Sequence, residues 1–414
     1  MKLISLFRNR YAFVKGNFLL LIITWTLMNF AGPIPRTYAS LYFKGLGAGD
    51  FVLGVIGFAG TMALALVQFP GGYLADKHGR RWLIFTMTYG VALSNLFYVF
   101  APTWHFILVG VIIQNLCLIY QPALFAISLD SVAPENRGAG YTLQSVITRI
   151  VSLPASLIAG YLVLTFDLDI GMRIAYTMVL VFFLSAATIR VKLKETLPSS
   201  DNKSRPNFMD ALREYPKSVK ESLRVWKKLP ESTFYLFIAM AGVASLLAAC
   251  QIYFVVYAVD VLHIERFQWA LVMAFMSLSI SIPVVVAGLK MDRFGRKFFL
   301  ITGFLLYIPA MALFLNADFY TLLASFFFFG LGQTLQFTSY QSLLGDLTPR
   351  GLRGKAVGCS QFFMYTSQAF TQLIAGALYT YVSRQLPFIL LAVSAVPFSI
   401  IVFLKVFDPK KREF

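Results

Sequence analysis

The chain has 414 residues, of which 58% are hydrophobic and 13% charged, with a formal net charge of +17. Soluble globular domains carry about 25% charged residues, so this composition excludes an ordinary soluble protein and points to one built for a bilayer. Cys117, Cys250 and Cys359 all fall in apolar runs without paired spacing, which excludes a disulfide framework and a thiolate metal site.

Apolar runs of about 20 residues cross a hydrocarbon core of roughly 30 Å as helices, the only open-ended element that satisfies its own backbone there. Twelve such runs are legible. Residues 1–16 lack the apolar core of a cleavable signal peptide, so span 1 is expected to be its own insertion signal. Span 1 (17–43) carries Asn29, Pro33, Pro35, Arg36 and Tyr38. Span 2 (51–74) opens with Gly54, Gly57 and Gly60, which lets a neighbouring helix approach closely. It runs into a tight basic turn, Gly72-Tyr-Leu-Ala-Asp76-Lys-His-Gly79-Arg80-Arg81. Span 3 (82–101) is apolar all round and reads as support against lipid or core. Span 4 (105–129) places Gln114, Gln121 and Ser128 seven residues apart, nearly two turns, and therefore on one face. Asp130 closes it and Arg137 follows. Span 5 (139–164) carries Thr142, Ser145, Arg149, Ser152 and Ser156 at steps of 3, 4, 3 and 4, a polar stripe on an apolar rod. Span 6 ends near Arg190.

Residues 191–232 break the apolar pattern and divide the chain into a first six-span half, 17–190, and a second, 233–407, with tails at 1–16 and 408–414. Within this linker Phe208, Leu212, Tyr215, Val219, Leu223 and Trp226 recur at helical spacing, which predicts an amphipathic helix on the membrane face. Span 7 (233–259) carries Gln251, Tyr253 and Tyr257, and span 8 (267–290) carries Ser277, Ser279 and Ser281. Then comes Gly288-Leu-Lys-Met-Asp292-Arg-Phe-Gly295-Arg296-Lys297. Span 9 is plain, span 10 (319–344) has Gln333, Gln336 and Tyr340 on one face, and span 11 (356–380) has Gln361, Tyr365, Gln368 and Gln372 at steps of 4, 3 and 4. Span 12 precedes a basic tail.

The two halves are in register. An offset of 216 residues carries Asp76 to Asp292, Asp130 to Asp346, Arg137 to Arg353 and Gly160 to Gly376. It also carries Ser145, Arg149, Ser152 and Ser156 onto the four polar residues of span 11. In span 1 the offset is 215, taking Tyr38 and Tyr42 to Tyr253 and Tyr257, and one inserted residue before span 2 accounts for the shift. A constant offset across unrelated features is the mark of an internal repeat.

The basic turn, written twice, resembles the signature loop of the major facilitator superfamily of membrane transporters: Gly, three residues, Asp, a basic residue, any residue, Gly, then basic residues. The resemblance covers the chain apart from its linker and tails. It implies an all-α membrane protein of two pseudo-symmetric six-helix bundles, acting as a secondary transporter that rocks one half against the other. It also implies an ion-pair network at the cytoplasmic face, formed by Asp76, Arg80 and Asp130 with their counterparts Asp292, Arg296 and Asp346, and Gly72, Arg137, Gly288 and Arg353 are expected to share in gating beside it. The signature Asp would lie near the start of span 11, where the helix dipole favours an anion.

Charge placement orients the chain. Thirty of the 36 Lys and Arg fall in segments on the side of the N-terminus and linker, so both termini are expected to be cytoplasmic, in the plasma membrane of a prokaryote. The positive charge is topological, and no nucleic acid partner is expected. Polar stripes in hydrocarbon gather at a cavity, so a solute cavity between the halves is expected, lined by Asn29, Arg36, Gln114, Gln121, Arg149, Ser152, Gln251, Tyr257, Gln333, Gln336, Tyr340, Tyr365 and Gln368. The Asp and Glu residues lie in loops, tails or span ends. Arg149 sits eleven residues into span 5, about 16 Å deep at 1.5 Å per residue, and two readings stand for it: a partner for an anionic group of the substrate, or an arginine satisfied by carbonyls, Tyr hydroxyls and water. The expected function is a facilitator-type carrier of a small polar organic solute with an anionic part. Proton-coupled multidrug efflux is the alternative, weakened because span 5 reads Leu153-Pro154-Ala-Ser-Leu157-Ile158 where the family's drug-antiporter motif would have paired glycines; a non-transporting sensor stands third. No enzyme constellation and no cofactor are expected, and the partners are a small-molecule substrate and the lipid bilayer, with the chain a monomer.

Overall fold

The computed structural model describes residues 13–196, 230–347 and 353–407, and the side chains at 69–70, 72–73, 75–78, 281–294, 353–357 and 359 fall outside the description. The expected linker helix at 208–226 and both tails also lie outside the described residues.

Among those residues the fold is helical throughout, and eight helical segments are long and apolar enough to cross a membrane by length and composition. Joined across their kinks, the helices accommodate the expected twelve. In chain order they are α1 (Gly16–Arg36), α2 (Asp50–His78), α3 (Arg80–Val99), α4 (Trp104–Asp130), α5 (137–166) and α6 (168–190). The second half holds α7 (Glu231–Asp260), α8 (Arg266–Phe294), α9 (Arg296–Phe314), α10 (Phe319–Leu347), α11 (Arg353–Tyr381) and α12 (Leu386–Lys405). The α10 segment falls short of a span on hydropathy, because Gln333, Gln336 and several hydroxyl residues dilute its apolar run.

Kinks have local causes. Span 1 was expected to run unbroken to 43, but α1 stops at Arg36 and a short helix, Ala39–Gly45, follows a non-helical Tyr38. Pro33 and Pro35 each withhold a backbone donor from this turn. In α4 the turn before Pro122 tightens to a 3-10 helix at Leu118–Tyr120. In α5 the rod breaks at Leu153–Pro154, where proline cannot bond back to Ile150. Asp167, at φ 60, separates α5 from α6.

The repeat in the sequence is visible in contacts between the halves. Gly54 of α2 lies against the backbone of Gly376 in α11, and the pair the offset predicts, Gly160 of α5 against Ala270 of α8, is also in contact. Absent side chains let the helices approach this closely. The Tyr38 hydroxyl donates to the carbonyl of Arg266, and its counterpart Tyr253 donates to the carbonyl of Asp50 at 3.0 Å. Arg266 and Asp50 are themselves repeat mates.

Candidate functional site

Three places carry the chemistry anticipated from the sequence: the basic turns, the surfaces where the halves meet, and a cavity.

Each basic turn is built on a glycine. Gly79 has φ 94 and Gly295 φ 83, a region that L side chains rarely adopt, so the chain can pass from α2 to α3, and from α8 to α9, without a longer loop. The turn then presents an arginine to the end of another helix. Arg80 pairs with Asp130 at the end of α4 and reaches Thr196 Oγ1 at 3.2 Å. Its repeat mate Arg296 pairs with Asp346 of α10. The neighbouring Arg81 donates to the carbonyl of Val191 at 2.7 Å, and its backbone N–H donates to Glu195 at 3.0 Å. Arg137 donates to the carbonyl of Leu129 at 3.3 Å, bracing the same corner. The side chains of Asp76, Asp292 and Arg353, and the surroundings of Gly72 and Gly288, lie outside the described residues.

The halves meet toward the opposite end of the helices, called here the far end. Besides the two tyrosine bonds, the Trp269 indole donates to the carbonyl of Thr37 at 3.0 Å. Lys44 stands 2.6 Å from both Asp50 of its own half and Asp260 of the other. The Lys44–Asp260 pair joins the two halves across 216 residues of chain. Burial pulls the Lys44 ammonium toward a lower pKa, but hydrogen bonds to Asp260 and Asp50 outweigh it and hold the group above its usual value. Deeper, Phe58 faces Phe370 at 5.5 Å and Thr61 Oγ1 donates to Gln372 Oε1 at 2.9 Å. On α11, Tyr365 and Gln368 continue the face of Gln372 toward the basic end and are half-buried. Arg149 is also half-buried, on the side of α5 turned about 200° from Ile147, which packs on Phe18 and Ile22 of α1. Its guanidinium has no acidic partner among the described residues. Ser152 turns its hydroxyl back to the Arg149 carbonyl at 2.9 Å.

The cavity, of about 570 Å³, lies inside the first half, between α1, α3, α4 and α6. It is a different place from the polar-lined cavity expected between the halves. Asn29, Arg36, Gln114 and Gln121 line it; Arg149, Ser152 and the expected second-half residues do not. Three of those second-half residues are packed within their own bundle. Tyr257 is fully buried and donates to the Leu315 carbonyl at 2.9 Å, as its mate Tyr42 donates to the Tyr98 carbonyl at 2.8 Å. Gln336 is buried, accepting from Tyr307 and reaching Met240 Sδ at 3.2 Å. Tyr340 is buried against Ser360. A helix face that alternates polar groups at the right spacing can turn toward its own bundle as well as toward a pore, and spacing does not distinguish the two. Gln333 is half-buried and Gln251 exposed.

Sequence reasoning passed over Arg190. Counted as a cytoplasmic charge, it is instead fully buried at the cavity wall. Its Nη1 donates to Thr88 at 2.8 Å and its Nε to Thr24 at 3.3 Å, with the guanidinium 5.5 Å from the Tyr120 ring centre. The available signal was its place as the last residue of an apolar helix, one turn beyond Ala186 and Ala187. Tyr98, Tyr176 and Asn95 also line the cavity and were not singled out.

Comparison with known proteins fits this architecture. The family model for the Major Facilitator Superfamily matches residues 13–291 and 266–413. An uncharacterized MFS-type transporter of Methanocaldococcus jannaschii is 23% identical over 349 residues, covering 83% of this chain and 86% of the relative. Among solved structures, a peptide transporter in complex with sulfate superposes with a TM-score of 0.73 at 15% identity, covering 93% of each chain. A nucleoside transporter gives 0.72 at 15% identity, covering 93% of this chain and 98% of that one. A human organic anion transporter gives 0.65 at 17% identity, with coverages of 93% and 97%.

Proposed function

The chain belongs to the Major Facilitator Superfamily of membrane transporters, and from that premise we propose that it is a secondary carrier of a small polar organic solute with an anionic part, working by alternating access. The observation that carries this reading is that, among the described residues, cross-half contacts cluster between the far end and the level of Thr61 and Gln372, while the described contacts of the turns at the basic end lie within each half. A pair of bundles fastened at one end is half of a rocking cycle; releasing the far-end bonds and closing the basic end would complete it. In the orientation that the Lys and Arg asymmetry favours, the basic end is cytoplasmic, both termini are cytoplasmic, and the arrangement described here opens inward in the plasma membrane of a prokaryote. Arg149 supports the substrate class: it is a guanidinium in a membrane-spanning helix without an acidic partner among the described residues, and intramembrane charges are costly unless used.

Binding of candidate solutes to purified protein, read as thermal stabilisation, tests the class. Arg149→Gln is expected to weaken binding of an anionic solute by about 1.5–3 kcal/mol, the worth of a charge-assisted hydrogen bond, with Arg149→Lys recovering part of it. Equal affinities of folded wild type and Arg149→Gln would replace the anionic solute with a neutral one.

A further inference from the structure

Among the described residues, the place in the second half that matches the cavity inside the first is filled. Trp25, Val91 and Tyr120 line that cavity. The repeat register assigns them Met240, Tyr307 and Gln336, and those three touch one another: Tyr307 donates to Gln336, whose amide reaches Met240 Sδ at 3.2 Å. All three are buried. The same register turns the cavity's two arginines, Arg36 and Arg190, into Gln251 and Val406. One half of a pseudo-symmetric molecule therefore keeps both an open interior and two cations where the other half is filled and uncharged.

Those cations differ. Arg190 is fully buried and held by two threonine hydroxyls and a ring face. Arg36 is exposed to the cavity space and makes no hydrogen bond or ion pair with a described residue. No Asp or Glu stands among the lining residues. The nearest acidic groups on the same helices are engaged at the ends: Asp130 with Arg80, and Asp169 with Arg173. Guanidinium charges in a low-dielectric interior attract anions much more strongly than the same charges in water, and the planar fork suits a carboxylate. The remaining wall is aromatic and amide-bearing, from Trp25, Tyr98, Tyr176, Asn29 and Gln114. Apolar surface with a few placed polar groups is the usual make-up of a small-molecule site, and about 570 Å³ falls within the usual size.

We propose that this cavity binds a small organic acid, its carboxylate on Arg36 and its body against the aromatic wall, with Arg190 as a second fixed positive charge at the buried end. The site goes beyond the transport reading, since it lies within one half and uses neither Arg149 nor the surfaces that separate during rocking. Full-length protein is titrated with benzoate and, at matched ionic strength, with its neutral isostere benzamide, following the melting temperature. Benzoate is expected to give a saturable rise and benzamide none. Arg36→Gln should abolish the benzoate rise or weaken its midpoint at least tenfold, and Asn29→Leu, which fills the cavity without touching charge, should also weaken it. Arg149→Gln should leave it unchanged, which separates this site from the proposed transport site. Equal shifts with benzoate and benzamide, no shift with either, or a benzoate response that survives in Arg36→Gln would overturn the proposal.

Discussion

Gly79 and Gly295 make the two basic turns possible, and the reason is backbone geometry. At φ 94 an added Cβ is strained, and at Gly79 it would also stand 2.9 Å from Glu195 Oε2. Gly79→Ala is therefore expected to cost about 1–3 kcal/mol, seen as a lower melting temperature, and Gly295→Ala a similar amount; unchanged melting in both would mean the turn adopts another path. Arg190 gives a second prediction at this scale. Its Nη1 bond to Thr88 satisfies a buried charged group, and Thr88→Val removes the acceptor with little change in shape. The expected cost is about 1–3 kcal/mol, while Thr88→Ser should restore most of it. A Val variant as stable as wild type would show that the guanidinium finds another acceptor.

At the scale of the element, α7 carries two tyrosines one turn apart whose hydroxyls face opposite duties. Tyr253 crosses to the other half and Tyr257 stays within its own. Loss of either bond is worth about 0.5–1.5 kcal/mol, but the consequences diverge. Tyr253→Phe weakens only the state fastened at the far end, so a cysteine placed at Thr61 should react faster with a membrane-impermeant maleimide added from that side. Tyr257→Phe should lower the melting temperature without changing that rate. If both variants alter labelling equally, the distinction between latch and internal brace fails. The stripes on α5 and α11 were legible as matched features because helical periodicity places their residues on one face whatever surrounds the helix. Which neighbour that face meets was not legible: Gln372 lies on the other half through Thr61, while Gln336, on a face that reads the same way, lies on Tyr307 within its bundle.

For the whole molecule, the far-end contacts join the two halves while the basic-end turns brace each half on itself, the arrangement on which the proposed rocking rests. The Lys44 ammonium, raised above its usual value by Asp260 and Asp50, contributes its stabilisation fully below the unfolded-state value and loses it only as pH rises through the folded one. The latch therefore stays charged on the Lys44 side across neutral pH, and mutation is the way to release it. Lys44→Gln should shift the population toward far-end opening, by the Thr61 labelling readout above. Conversely, Phe51 and Tyr381 meet across the halves with ring centres 5.9 Å apart. Cysteines at both positions, once oxidised, should stop solute exchange in reconstituted vesicles, and reduction should restore it. Exchange at the wild-type rate with the cross-link complete would argue against rocking.

The sequence by itself determined the solvent, the repeat and the turns. Composition names the bilayer, because hydrocarbon tolerates few charges; a fixed offset pairs Arg80 and Asp130 with Arg296 and Asp346, because duplicated chains keep their register; and glycines recur where the backbone needs a positive φ. Only the tertiary structure decided where side chains on equivalent faces end up. It packs Tyr257, Gln336 and Tyr340 within the second bundle, and places Arg190, read as a charge at the membrane surface, in the first bundle's interior. The physical reason is that periodicity fixes direction around a helix axis, whereas burial depends on which other helices stand in that direction and on how far their residues reach. Met240, Tyr307 and Gln336 meet and close the middle of one bundle, and their repeat mates Trp25, Val91 and Tyr120 line an opening in the other.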